Sequence, residues 1–241
     1  MIEHPETATV GEIVATDSRS AAVFERFGID FCCGGGRSLQ DACRTARVDA
    51  AAVVEALGAL KTQAAPSNDE STWALDDLVR HIVDTHHAYV RTAMPAIATH
   101  LAKLSRVHGP RHPELHDAVQ VWDSLARDFD MHMMKEEQML FPYIVDLADS
   151  RARGGSAPGS PFGTVENPIR MMMREHQSAA DDMHEIKALT NGYTPPADGC
   201  TTYRVCMEEL RQFDEDLHRH VHLENNILFP RAVDLEQQTT A

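Results

Sequence analysis

Apolar residues recur at helical spacings of three and four through most of the chain. Four long stripes stand out. The first predicts a helix from about Leu75 to Arg106, with Val79, Val83, His87, Val90, Met94 and Ile97 on one face. The second runs from Glu114 to about Asp149. The third runs from about Val165 to Thr190, with Ile169, Met172, His176, Ala179, Met183 and Ile186 inward, and the fourth from Thr201 to about Glu236. The connections are Gly109–Pro113, the Gly/Pro/Ser-rich Arg151–Gly163, and Asn191–Gly199. Helices of this length with such loops predict an all-α, up-down-up-down antiparallel four-helix bundle. Pro95 should kink the first helix and Pro142 the second.

The first sixty residues have shorter periodicities. Thr9–Val14, Ser18–Gly28 and Ser38–Leu60 predict three short amphipathic helices, punctuated by Thr, Ser and Gly. The polar connector Gln63–Thr72, which contains a proline, is the best boundary in the chain. The expected organisation is a small helical domain over residues 1–62 and a bundle over 73–237.

Two stretches of the bundle nearly repeat one another. His132-Met-Met-Lys-Glu136 and His220-Val-His-Leu-Glu224 are each followed by three residues and then Leu-Phe-Pro. A spacing of four stacks the imidazole and the carboxylate on one helix face. Around the first pair, Leu125, Phe129, Leu140 and Tyr143 share that face; around the second, Phe213, Leu217, Ile227 and Leu228 do. Both pairs therefore point into the core, where an ionised carboxylate is costly unless its charge is compensated. The plain alternative is a buried His–Glu hydrogen bond in each helix. Repetition argues against it and extends further, because His87 precedes His132 by 45 residues and His176 precedes His220 by 44. His87, His132, His176, His220, Glu136 and Glu224 make a ligand set for two metal ions inside a bundle, with the two carboxylates best placed as bridges. A mixed imidazole and carboxylate set suits iron, manganese or zinc, and the paired, bridged arrangement favours iron.

His86 competes with His87 for the inward position, and helical phase favours His87. His81, His100 and His108 fall off the stripe and should be solvated. His218 and His222 lie on the other side of their helix from His220, and Glu215-x-x-His218 has no answering motif. Glu175, beside His176, is a candidate supporting or entrance carboxylate. Met171, Met172 and Met173 read as packing. No role follows for Cys200 or Cys206.

A net charge of -15 argues against nucleic acid or an anionic membrane as partner. No apolar run is long enough to span a bilayer, and no signal peptide is evident, so a cytoplasmic protein is expected. Five cysteines fit reduced thiols better than a disulfide framework. Two of them, Cys32 and Cys33, precede Gly34-Gly35-Gly36 in a segment between predicted helices. The glycines allow unusual backbone angles or a close approach, and the thiols should sit near a helix N-terminus that favours thiolate. A tight turn with two small buried side chains explains the same string equally well.

These segments resemble the repair-of-iron-centres proteins, di-iron proteins built on a haemerythrin-like bundle. The resemblance rests on Gly28-Ile-Asp-Phe-Cys-Cys-Gly-Gly35, His132-Met-Met-Lys-Glu-Glu-Gln138, Arg174-Glu-His176, Thr194-Pro-Pro-x-x-x-Cys-Thr-Thr202 and His220-x-x-Leu-Glu-Asn-Asn-x-Leu-Phe-Pro230. It implies that the four histidines hold two irons bridged by Glu136 and Glu224, and that Cys32 and Cys33 handle iron or a nitrosyl group. It implies a homodimer that restores iron–sulfur clusters damaged by nitric oxide or oxidants, as an iron donor rather than an enzyme. Two further readings stay open: a module binding or sensing NO or O2, and a di-iron reductase of NO or peroxide. The thiol-bearing domain counts against the first of these, and the lack of an electron-carrying motif against the second.

Overall fold

The computed structural model describes residues 8–32, 34–60 and 70–240. Among these residues there are eight helices and no strand. Four short helices come first: α1 (Val10–Thr16), α2 (Ser20–Arg26), α3 (Leu39–Ala46) and α4 (Ala50–Leu60). At the start of α1, Thr9 Oγ1 accepts from the Glu12 amide while the Glu12 carboxylate accepts from the Thr9 amide. The expected helix over Ser38–Leu60 is broken in two. Arg47 turns left-handed at φ 59 to end α3, and the Asp49 carboxylate then accepts from the Ala51 amide to start α4. Most of the Gln63–Thr72 connector lies outside the described residues.

The bundle follows. Helix α5 comprises Leu75–His81, a π segment Ile82–His87, and Ala88–His108. Helix α6 comprises Glu114–Lys135, a π segment Glu136–Leu140, and Phe141–Ala152. Helix α7 is Glu166–Leu189, and α8 comprises Thr201–His222, a π segment Leu223–Leu228, and Phe229–Thr240. Cross-helix pairs fix the antiparallel register. His100 meets Glu209 and His108 meets Cys200 between α5 and α8, while Lys135 meets Glu175 between α6 and α7. Glu236 ties one end together, accepting from the Tyr143 hydroxyl at 2.7 Å and from the Val165 amide at 3.0 Å, which opens α7.

The proline after each repeated motif explains part of this geometry. Pro142 and Pro230 offer no N–H to the carbonyl four residues back. In both helices the backbone answers with a wider turn just upstream, in the segments that carry Glu136 and Glu224. Helix α5 widens as well, and there the extra residue brings His86 and His87 both inside.

The apolar interior falls into two bodies. One runs from the N-terminal helices through Val90, Leu101, Trp122, Phe129, Phe213 and Leu217. The other holds Leu78, Ile82, Phe141, Ile169, Leu223 and Phe229. Between them lies a layer of fully buried imidazoles and carboxylates.

Candidate metal centre

Each bundle helix contributes to that layer. His87 comes from α5, His132 and Glu136 from α6, His176 from α7, and His220 and Glu224 from α8; all six are at most 1% exposed. They form two groups that share both carboxylates: His87, His220, Glu136 and Glu224 in one, and His132, His176, Glu136 and Glu224 in the other. In the first group, His87 Nε2 lies 3.1 Å from His220 Nε2 and 3.5 Å from Glu136 Oε2, and His220 Nε2 lies 3.0 Å from Glu224 Oε1. In the second, His132 Nε2 lies 3.0 Å from His176 Nε2 and 3.3 Å from Glu136 Oε2, and His176 Nε2 lies 3.0 Å from Glu224 Oε2.

The outer nitrogens define what the inner ones carry. His87 Nδ1 donates to Glu137 at 2.6 Å, His132 Nδ1 to Glu175 at 3.0 Å, and His176 Nδ1 to Asn225 Oδ1 at 2.9 Å. With Nδ1 protonated in the neutral ring, Nε2 is left as a lone pair. Three such lone pairs then converge on a fourth imidazole nitrogen and on two carboxylates, with N–N separations near 3 Å. Both oxygens of Glu136 and one of Glu224 are buried without a hydrogen-bond partner. Two carboxylates buried side by side need positive charge next to them, since an uncompensated buried charge costs several kcal/mol. Cations between the nitrogens and oxygens remove both the lone-pair repulsion and the orphaned charge. The residues fit metal binding in both groups, and Glu136 and Glu224 belong to both.

The supports are themselves anchored. Glu137 also accepts from Arg91 at 2.7 Å, and Glu175 from Lys135 at 2.5 Å. Hydrogen bonds from His132 and Lys135 hold the Glu175 carboxyl down at about 2, so it is a permanent acceptor. Without a cation, burial works against a charge on His132, but Glu136, Glu175 and Glu224 together outweigh it and push the imidazole up to about 10. His220 goes the other way, lowered by burial. A cleft of about 180 Å³, lined by Leu125, Phe129, His132, Lys135 and Glu175, opens from the surface beside His132.

The remaining histidines divide. His86 is buried but belongs to neither group: Nδ1 donates to Asp216 at 2.8 Å and the ring lies parallel to His220, 5.6 Å away. His218 and His222 face away from the layer, onto the ring of Phe31 at 6.5 and 5.7 Å. Burial opposes a charge on His218, yet Asp214 holds it up to about 10; burial drives His222 down to about 3. His108 departs from expectation, being 4% exposed against Tyr203 rather than solvated. Met172 is core, but Met171 and Met173 are 39% and 42% exposed, because a helix turns neighbours 100° apart.

The cysteine segment docks on the same layer. Asn225 Nδ2 donates to the Cys32 carbonyl at 3.3 Å while its Oδ1 receives His176, and Asn226 Nδ2 donates to the Phe31 carbonyl at 2.9 Å. Asp30 shapes the turn, accepting from the amides of Cys32 at 3.0 Å and Gly34 at 2.9 Å. A Cβ at Gly35 would fall 2.7 Å from both Asn226 Oδ1 and the Phe31 carbonyl, so the glycine serves close approach; none of Gly34, Gly35 and Gly36 has a positive φ. Cys32 is buried and its Sγ donates to Asp30 at 3.3 Å. The N-terminus of α3 is taken by Ser38, whose Oγ accepts from the Asp41 amide, rather than by a thiol. Cys33 lies outside the described residues. Asn225, Glu137 and Asp216 escaped the sequence reading, although the first two sit beside the ligand candidates Glu224 and Glu136.

Comparison with known proteins agrees with this architecture. Residues 78–232 match the haemerythrin HHE cation binding domain, and residues 6–61 match a domain of unknown function, DUF542. The chain is 34% identical over 233 residues to the iron-sulfur cluster repair protein YtfE of Dickeya chrysanthemi, covering 95% of this chain and 98% of that one. It is 34% identical over 230 residues to YtfE of Musicola paradisiaca, with the same coverage. A probable iron-sulfur cluster repair protein of Haemophilus influenzae is 32% identical over 227 residues, 93% of this chain and 96% of that one. The chain belongs to the family of iron–sulfur cluster repair proteins, with a haemerythrin HHE domain as its bundle.

Proposed function

We propose that the protein holds two iron ions through His87, His132, His176 and His220, bridged by Glu136 and Glu224, and donates iron to damaged iron–sulfur clusters. The observation that carries this reading is the pair of shared, buried carboxylates with orphaned oxygens, met by four imidazole Nε2 atoms. When bound, the metal pair supplies redox-active iron with room for a small diatomic such as NO or O2.

The protein's own residues do the rest. Glu137, Glu175 and Asn225 each hold one ligand ring by its Nδ1, which fixes the ring's orientation and turns Nε2 towards the metal side. The apolar bodies on either side exclude water from the layer. Asn225 links the ring of His176 to the Cys32 carbonyl, so a shift of the cysteine turn reaches a ligand through one side chain. This link supports a role for Cys32 and Cys33 in release or handling of the iron, and favours a donor over a binding module or a turnover enzyme. The damaged cluster proteins are the partners, in the cytoplasm. A homodimer, and a division into domains at residues 1–62 and 73–237, complete the proposal.

Metal analysis of the purified protein tests the centre. Two irons per chain are expected, falling sharply in Glu136→Ala; one zinc, or no metal in the intact protein, would remove the assignment. A Cys32→Ala/Cys33→Ala variant should keep its iron yet fail to reactivate a nitrosylated cluster enzyme. Full reactivation by that variant would take the thiols out of the mechanism.

A further inference from the structure

A second reactive constellation lies at the other end of the bundle. Cys200 is the N-cap residue of α8 and is exposed, and its Sγ lies 3.4 Å from Nε2 of His108 in the last turn of α5. His108 is 4% exposed, with its ring edge-on to Tyr203, and its Nδ1 has no partner among the described residues. A buried imidazole therefore presents one nitrogen to one surface thiol. Twenty residues separate Cys200 from His220, about 30 Å along a helix, so the thiol takes no direct part in the metal layer.

We propose that Cys200 and His108 form a thiol-exchange site, at which low-molecular-weight aliphatic disulfides capture Cys200 as a mixed disulfide. The thiol proton passes to His108 Nε2, leaving an imidazolium–thiolate pair. The thiolate attacks one sulfur of the disulfide; a new S–S bond to Cys200 forms, the original S–S bond breaks, and the second sulfur departs as thiolate. No electrons are gained or lost overall. Three features favour this. The His108 ring at the C-terminus of α5 lies against the thiol, and the first amides of α8 favour a thiolate at its N-cap. The His108 imidazole, helped by the Tyr203 amide, lowers the thiol to about 7, so roughly half is ionised at neutral pH. Cys206, the other thiol of α8, is buried with its pKa pushed up by burial to about 12, so the exchange partner comes from solution.

Other charges face the pair. His112 is bound by Glu114 and Asp198, Arg111 pairs with Asp198, and Lys103 donates to Thr202. Hydrogen bonds to Asp198 and Glu114 raise the pKa of His112.

The full chain, incubated with oxidised glutathione across pH 5.5–9.5 and mapped by peptide mass, tests the proposal. Cys200 should be modified with a midpoint near 7, and Cys206 left free. His108→Asn should raise the midpoint towards the ordinary thiol value of about 8.5. It should slow modification at pH 7 about three- to fourfold, because a roughly 16-fold loss of thiolate is partly offset by higher nucleophilicity. His112→Gln should leave the midpoint in place. A wild-type midpoint above 8, no modification of Cys200, or an unmoved midpoint in a folded His108→Asn variant would each overturn it. The wild-type midpoint is independent of whether any variant folds.

Discussion

His86 and His87 are consecutive and both buried, yet they meet different partners. His87 turns Nε2 to Glu136 and His220, whereas His86 donates to Asp216 and stacks on His220. On the proposed assignment, His87→Ala should lose metal from its own subsite at least, while His86→Ala keeps both ions. His86→Ala should instead lower stability by about 1–3 kcal/mol, through the lost hydrogen bond to Asp216 and the lost packing. Metal content and denaturant melts of the two variants give the answer; equal metal loss would make His86 a ligand. At this scale the sequence is most informative where a residue is both periodic and repeated, as with His132 and His220. It is least informative where a tertiary neighbour decides. His108 stands four residues beyond Leu104 on the buried face, yet a histidine in a last turn beside Gly109 also suits solvent, and Tyr203 at the start of α8 is what covers it. Asn225 follows Glu224 as Glu137 follows Glu136, but the residue type differs, and its contacts with His176 and with Cys32, 193 residues earlier, are set by the fold.

Among the elements, the π segment of α8 works in two directions. Its inner face carries Glu224, and Asn225 and Asn226 reach the cysteine turn. Gly11 of α1 packs against Asn226, and a Cβ there would overlap its Oδ1. Gly11→Ala should therefore loosen the N-terminal helices, at about 1–3 kcal/mol as for other overpacked sites, while leaving iron content unchanged. Asn225→Ala removes the acceptor of His176 and should weaken metal binding about 10- to 100-fold. Iron retention during dialysis against a chelator separates the two variants, and identical behaviour would mean that the asparagines act only as glue. The four long helices are legible because each shows an unbroken apolar stripe. The wide turns are not, since a stripe read at 3.6 residues per turn has no place for an inserted residue. That is why Val83 looked inward, when Ile82 is the fully buried side chain.

For the molecule as a whole, the buried layer couples metal, protons and folding. In the metal-free protein a proton on His132 compensates Glu136, holding that imidazole up to about 10. The folded value lies above the ordinary 6.5, so this protonation stabilises the metal-free fold fully below pH 6.5, and the contribution is lost as pH rises towards 10. Metal binding must displace that proton, because a ligating imidazole is neutral. Each unit of pH below 10 then weakens binding about tenfold, or about 1.4 kcal/mol, for one displaced proton. The gap in melting temperature between loaded and metal-free protein should widen from pH 6 to pH 9. Metal should leave as pH falls towards 5, where the other imidazoles also take up protons. Dialysis at stepped pH followed by elemental analysis reads the second effect, and calorimetry of both forms reads the first. Retention of both ions through pH 4 would mean that imidazole protonation does not compete with the metal, and His132 would have to be withdrawn as a ligand.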